Sequence, residues 1–157
     1  MLDVLDFSAR TEALSAPRAL GDDMLDRHPV LRLSPDALRS VVKRTGRWCA
    51  CRSGEPLPPG EAVVGFVLSG ALGVFDARGL ACVSLLGPGA TYGWETAFAP
   101  LVASHRLALL DSSWIEAPVS GIRDAMGSSW LEHVFARHAL DRITRLKADS
   151  ACHAAHA

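Results

Sequence analysis

Three stretches of the chain carry residues whose types and spacing could do chemistry. The first is LLGPGATYGWETAF, residues 85–98, where three glycines, a proline and the single acid Glu95 lie between two apolar runs. A loop of this composition either turns backbone N–H groups toward a phosphate or is a plain tight turn between strands. The second is Cys49-Ala50-Cys51, whose period of two puts both sulfurs on one face of a strand. With Cys82 and Cys152 the chain has four thiols. Iron–sulfur clusters need four converging thiolates at wider spacing, so buried or edge thiols are expected here and no cluster. The third is Cys152, His153 and His156, in which 152 and 156 stand four apart on a helix, a workable metal spacing. No carboxylate or further ligand joins them, and no metal is expected.

Other side chains offer less. His133 and His138 are lone helical histidines, and such a residue is more often a packing or surface residue than a ligand. Glu95, Asp111 and Glu116 are isolated acids, read as solvated strand charges. No nucleophile elbow, Walker loop or His/Glu metal signature is present, which argues against an enzyme.

The elements that must position these residues follow from pattern. Residues 1–23 read as a polar N-terminal arm. Residues 24–46 read as short helical pieces: Ser34 is a fitting N-cap, Pro35 suits the first helical position, and Leu38, Val41 and Val42 repeat at helical spacing until Gly46. From Trp48 to Pro118 the pattern changes to short runs rich in Val, Leu, Phe and Trp, punctuated by Gly, Pro, Asp and Ser. VVGFVLSG, ALGVFDARG, LACVSLLGPG, HRLALLDSS and WIEAP read as successive strands, with turns at DARG, where Gly79 is free to take a positive φ, and at DSS. Strands at this spacing predict an antiparallel sandwich or jelly roll. After Pro118, PVSGIRDAM reads as a short helix broken by Gly127, and a long helix follows. Ser129 with Glu132 fits a capping box. On this helix Leu131 and Phe135 are placed to pack on the roll. Ala136, Ala139, Ile143, Leu146, Ser150, His153 and Ala157 recur at alternating spacings of three and four, a heptad seam of mostly small residues.

Composition narrows the class. At 157 residues, 49% hydrophobic and 21% charged, the chain fits one globular domain and not a disordered one. A net charge of −1 lacks the basic face that nucleic acid requires, so this chain alone is not expected to bind DNA. No apolar run is long enough to cross a bilayer. The start, MLDVLDFSAR, lacks the basic-then-apolar order of a signal peptide, and a cytoplasmic location is expected.

In order and spacing, these pieces resemble the effector domain of Crp/Fnr-type transcription regulators. HPVLRLSPDAL resembles the family's helical lead-in, GEPLPPGE with VLSGALGVF its first hairpin, LLGPGATYG the strand and loop before its phosphate-binding cassette, ALLDSSWIEAPVSGIRDAM its closing strand and short helix, and the last helix its dimerisation helix. The resemblance covers about residues 28–157. It implies a mainly β fold with flanking helices, a double-stranded β-helix or jelly roll of the cyclic-nucleotide-binding type. The organisation expected is an arm at 1–23, the roll with its leading helices at 24–127, and a dimerisation helix at 128–157.

The resemblance also implies a site, and this sequence departs from it. Cyclic-nucleotide-binding relatives supply a Gly-Glu pair for the ribose and an Arg before Ser or Thr for the phosphate. Here Gly93, Trp94, Glu95 and Thr96 occupy the cassette, with a bulky Trp94 interposed. The arginine position falls at Ala103, before Ser104, and the nearest guanidinium is Arg106. A three-residue shift reverses strand parity, so Arg106 would substitute only across a bulge. Losing an arginine–phosphate contact costs on the order of several kcal/mol. The candidate ligand residues are therefore Gly93, Trp94, Glu95, Thr96, Ser104 and Arg106, with cAMP not held in the usual way. The candidate dimer interface is Ala136, Ala139, Ile143, Leu146 and Ser150.

The function expected is a sensory and dimerisation module of a transcriptional regulator, a homodimer with no membrane partner and no cofactor beyond a cyclic nucleotide or other small ligand; haem-binding relatives use an axial His or Cys, which the resemblance would give to His133 or His138, but no haem or iron–sulfur cluster is expected. Family members continue into a winged helix-turn-helix domain, whereas this sequence stops at CHAAHA. The alternatives are an adaptor or inhibitor that binds a full-length relative or the transcription machinery, and a receptor for a cyclic dinucleotide stacked on Trp94.

Overall fold

The computed structural model describes residues 20–58, 62–76, 78–98 and 105–154, and side chains in the last helix up to Asp141 together with Thr144. The expected arm, residues 1–23, lies mostly outside them.

Three short helices lead in: α1 (Asp22–Asp26), α2 (Pro29–Arg32) and α3 (Asp36–Thr45). Asp22 accepts from both Arg39 and Lys43, and Asp26 accepts from Arg39, so α1 is tied to α3 through its acids. The cap of α3 differs from expectation. Pro35 takes the N-cap position with no side-chain cap, and Ser34 Oγ donates instead to the Val30 carbonyl 2.6 Å away, closing α2. A serine one turn past a helix can satisfy that helix's free carbonyls as readily as it caps the next one.

Seven strands follow among the described residues: β1 (Arg47–Cys51), β2 (Val63–Ser69), β3 (Leu72–Phe75), β4 (Cys82–Leu86), β5 (Thr91–Tyr92), β6 (His105–Ala108) and β7 (Ser112–Pro118). They form two antiparallel sheets, one ordered β1-β7-β2-β5 and the other β4-β3-β6. The turn after β3 is longer than the four-residue DARG; Asp76 accepts from the Leu80 and Ala81 amides, with Gly79 at φ 69°. A 3-10 turn (Trp94–Ala97) separates β5 from β6, and α4 (Val119–Met126) and α5 (Ser128–Ala154) complete the chain. The Leu131 amide bonds to the Gly127 carbonyl, so the cap of α5 is Gly127 and Ser129 lies inside the first turn, where it does not form the expected capping box.

The first sheet is buried on both faces, which is why β2 reads VVGFVLS without polar alternation. Its outer face, with Val64, Phe66, Leu68, Ile115 and Ala117, packs against Leu25, Leu31, Leu38, Val42, Ile122 and Leu131 of the helices. Its inner face meets the second sheet around Leu57, Val67, Leu72, Tyr92, Ala108 and Trp114. This is the mainly β jelly-roll arrangement with flanking helices that the pattern predicted. Among the described residues no helix is long and apolar enough to cross a membrane.

Candidate functional site

Strand register assembles one row of residues across the inner face of the first sheet. Arg47 on β1 stands opposite Glu116 on β7, Glu116 opposite Gly65 on β2, and Gly65 opposite Tyr92 on β5. Opposed side chains in neighbouring strands come within reach of one another. Gly65 makes the third step possible, because a Cβ there would lie 2.0 Å from Tyr92 Cζ. The tyrosine ring crosses β2 over the glycine and donates its hydroxyl to Glu116 Oε1 at 2.9 Å. Trp114, two residues back and on the same face, donates its indole N–H to that oxygen at 3.0 Å. From the other side Arg47 donates to Oε2 through Nε at 3.1 Å and Nη2 at 2.8 Å, and the Cys49 thiol points to the same oxygen at 3.7 Å.

Glu116 is thus a buried carboxylate with both oxygens engaged, and the expectation of a solvated acid is corrected. Burial pushes its pKa up, but the bonds from Trp114, Arg47 and Tyr92 outweigh that and hold it below the ordinary carboxylate value. The same carboxylate acts on its neighbours. Burial, and then the Glu116 charge, raise the Cys49 thiol to about 12 and the Tyr92 hydroxyl well above its ordinary value. Burial and the Glu55 carboxylate bring Cys51 to about 11. Both thiols of the Cys49–Cys51 pair stay protonated and weakly nucleophilic at neutral pH. No group of three or more metal-ligating side chains converges among the described residues.

The cassette-like loop keeps its turn. Gly93 takes φ 89° at the start of the 3-10 turn, and a Cβ there would fall 2.0 Å from the Val63 carbonyl oxygen, so both conformation and space demand glycine. Trp94 is 2% exposed; its indole N–H donates to Thr91 Oγ1, and its ring lies edge-on to Phe66 and Trp130. Truncating a core indole costs about 3–5 kcal/mol, against roughly 1–3 kcal/mol for stacking one base, so the core holds this ring. Glu95 is exposed and its carboxylate makes no hydrogen bond among the described residues, while Thr96 Oγ1 turns back to the Gly93 carbonyl at 2.6 Å. Ser104 and Ala103 lie outside the described residues.

Arg106 lies on β6, on the same side as Ala108, and so faces between the sheets. Its Cζ stands 4.6 Å from the centroid of the Tyr92 ring. The β3–β6 register runs without a shift from His105 to Ala108. Of the sequence candidates, then, Arg106 joins the row through Tyr92, whereas Trp94 and Glu95 point away from it.

Arg47, Tyr92, Gly65 and Glu116 were not picked out as a group, since they meet only through strand register. Two local signals were present: a glycine within an otherwise apolar strand, which marks close backbone approach, and a lone acid in the closing strand.

On the α5 side, Leu131 is buried and Phe135 lies against Phe98, with ring centroids 5.2 Å apart and the planes tilted by 49°. Ala136 is exposed and Ala139 half-buried; the side chains of Ile143, Leu146 and Ser150 lie outside the described residues, as do those of Cys152, His153 and His156.

No protein-family model matches the chain, and neither does any curated protein sequence. Solved structures do. A protein from Geobacter metallireducens GS-15 described as cyclic nucleotide-binding is similar with a TM-score of 0.62 at 15% identity, over 81% of this chain and 98% of that one. The sensor domain of the transcriptional regulator DNR from Pseudomonas aeruginosa gives 0.59 at 14% identity, over 80% and 90%. The cAMP-bound PfPKA-R gives 0.62 at 12% identity, over 80% of this chain and 45% of that one. At these identities the likeness is one of fold, and this chain has the fold of cyclic-nucleotide-binding domains.

Proposed function

We propose that this chain is a sensory and dimerisation module of the Crp/Fnr type, a regulatory domain and not an enzyme, which pairs through α5 and does not hold cAMP in the usual way. One observation supports the ligand half of the reading: Gly93 turns the chain at the position where the resemblance puts the cassette, while the side chains around it are committed elsewhere. Trp94 serves the core, Glu95 faces solvent, and the guanidinium on β6 lies on an aromatic ring. The similarity to regulator sensor domains supports the regulatory role. Pairing is supported by the exposed Ala136 and by Leu140, 63% exposed on the same helix. Such a module works without a DNA-reading face of its own, in keeping with a net charge of −1.

Calorimetry of the chain with cAMP and with cGMP tests the ligand half of this reading. No saturable heat at micromolar concentration is the expected outcome, and micromolar affinity for either overturns it.

A second reading, an adaptor that binds another protein, draws on β4 and the turn before it, where Leu80 is 80% and Leu85 66% exposed. A receptor for a cyclic dinucleotide gains nothing from Trp94, whose ring is already packed.

A further inference from the structure

His28 is an ionisable side chain with 0% of its surface exposed, and each ring nitrogen meets a backbone group of fixed polarity. The Val30 amide, 3.2 Å from Nδ1, can only donate, and the Ala90 carbonyl, 3.2 Å from Nε2, can only accept. The neutral ring with its proton on Nε2 satisfies both. A second proton must sit on Nδ1, where it faces the Val30 N–H donor to donor. The ring then gives up the cap of α2 or turns away from both partners. No counter-charge meets it. From β2 it faces the Phe66 ring, edge-on at 5.4 Å, from the loop before β5 the Ala90 carbonyl, and from α2 the Val30 amide. The charged groups of α1 and α3, Asp22, Asp26, Arg39 and Lys43, pair with one another at the surface, and no charged group among the described residues acts on the ring. An unpaired cation is strongly disfavoured in such a place.

From His28 a file of rings leads away. Phe66 lies edge-on to His28, Trp94 edge-on to Phe66 at 6.1 Å, and Trp130 edge-on to Trp94 at 6.1 Å. The file runs from the leading helices through β2 to the 3-10 turn after Gly93 and on to the start of α5. The Ala90 carbonyl also accepts from the Val67 amide at 2.9 Å, and the Gly89 amide donates to the Val67 carbonyl at 2.9 Å. The loop therefore stays on β2 when the His28 bond goes, and what comes free is the helical layer.

We propose that His28 is a proton-operated switch, whose protonation frees α2 from the loop before β5 and shifts Trp94 and the start of α5 through Phe66. This rests on the reading of the domain as a sensory module and names the proton as its input. Burial keeps the ring neutral at pH 6.5 and above, so acid opens the switch. Two packed arrangements that one group biases are what coupling between distant elements requires.

The test follows the His28 imidazole and the indole N–H signals of the whole chain by nuclear magnetic resonance, from about pH 7.5 to about 5. The expected result is that the Trp94 and Trp130 indole signals shift with one midpoint, below pH 6.5 and shared with the His28 ring. Trp114, on the other face of the first sheet and bonded to Glu116, does not follow that midpoint. His28→Asn keeps an acceptor for the Val30 amide and His28→Gln a donor for Ala90; neither titrates, and the shared step is absent from both. His133→Asn, one turn beyond Trp130 on α5, leaves the step in place. Steady Trp94 and Trp130 signals overturn the proposal, as does a step that survives in either His28 variant. So does a joint loss of dispersion in all signals, which is unfolding and not a switch. Light scattering on the same samples reports pairing separately. A paired chain whose Trp94 and Trp130 signals ignore pH defeats this inference and leaves the sensory-module reading standing. The shared step in a chain that never pairs sustains the switch and defeats the pairing.

Discussion

At Gly65 the absence of a side chain lets the Tyr92 ring cross β2 and reach Glu116. Gly65→Ala places a methyl group where the ring now is, and the ring cannot swing aside without giving up its bond to a buried carboxylate. Overpacking of this kind costs about 1–3 kcal/mol. Tyr92→Leu alone loses a hydrogen bond to a charged group, again about 1.5–3 kcal/mol. In urea denaturation the double variant is expected to lose less stability than the two single losses together, because leucine makes room for the methyl group. Strict additivity would show that the ring does not press on β2 as described. None of this was legible residue by residue. Arg47, Gly65, Tyr92 and Glu116 are separated by long stretches of chain, and only the register of four strands makes them neighbours. Trp94 misled for a related reason: sequence placed it in a ligand loop, but the 3-10 turn rotates it toward Phe66 and Trp130.

Elements were easier to read than their ends. The five strand runs from VVGFVLSG to WIEAP, the short helix after Pro118 and the long last helix follow from period and punctuation. The two-residue β5 is too short to show any period. Where an element stops depends on which polar group meets which free backbone atom, and Ser34 and Ser129 show how that choice escapes a one-dimensional reading. His28 is a stronger example. It is buried, its Nδ1 accepts from the Val30 amide to cap α2, and its Nε2–H donates to the Ala90 carbonyl at 3.2 Å, joining the leading helices to the loop before β5. Burial lowers its pKa below 6.5, the Ala90 bond opposing only in part. Below pH 6.5 the unfolded chain therefore takes up a proton that the folded chain refuses. Stability should fall as pH drops from 6.5 toward the lowered folded value and be flat with respect to this group above 6.5. Urea midpoints across this range are expected to show that slope in the parent chain. His28→Asn, which can still cap α2 but cannot titrate, is expected to be less stable near neutrality and to show a shallower slope. An unchanged slope would mean that another group governs the acid response.

For the molecule as a whole, the described side chains of α5 up to Asp141 divide into a packed side and an outward side. Leu131 is buried and Phe135 lies against Phe98, while Ala136 and Leu140 face outward. Helical stability comes largely from packing an apolar stripe, and among the described residues the start of this 27-residue helix packs through Trp130, Leu131, Val134 and Phe135. A second copy supplies such packing if the heptad seam through Ala136, Ala139, Ile143, Leu146 and Ser150 continues as spaced, and its small residues allow the two helices a close approach. Light scattering should then report twice the 16.7 kDa mass of the chain. Ile143→Asp puts a charge into the seam, where burial without a partner is strongly unfavourable. It is expected to give a folded monomer, with the roll's thermal transition retained because the described core clusters are built from residues up to Phe135. Helical content read by circular dichroism should drop in that variant as the unpaired end of α5 loses its partner. A parent chain that is already monomeric refutes the pairing, and a pair untouched by Ile143→Asp places the contact between copies somewhere other than this helix.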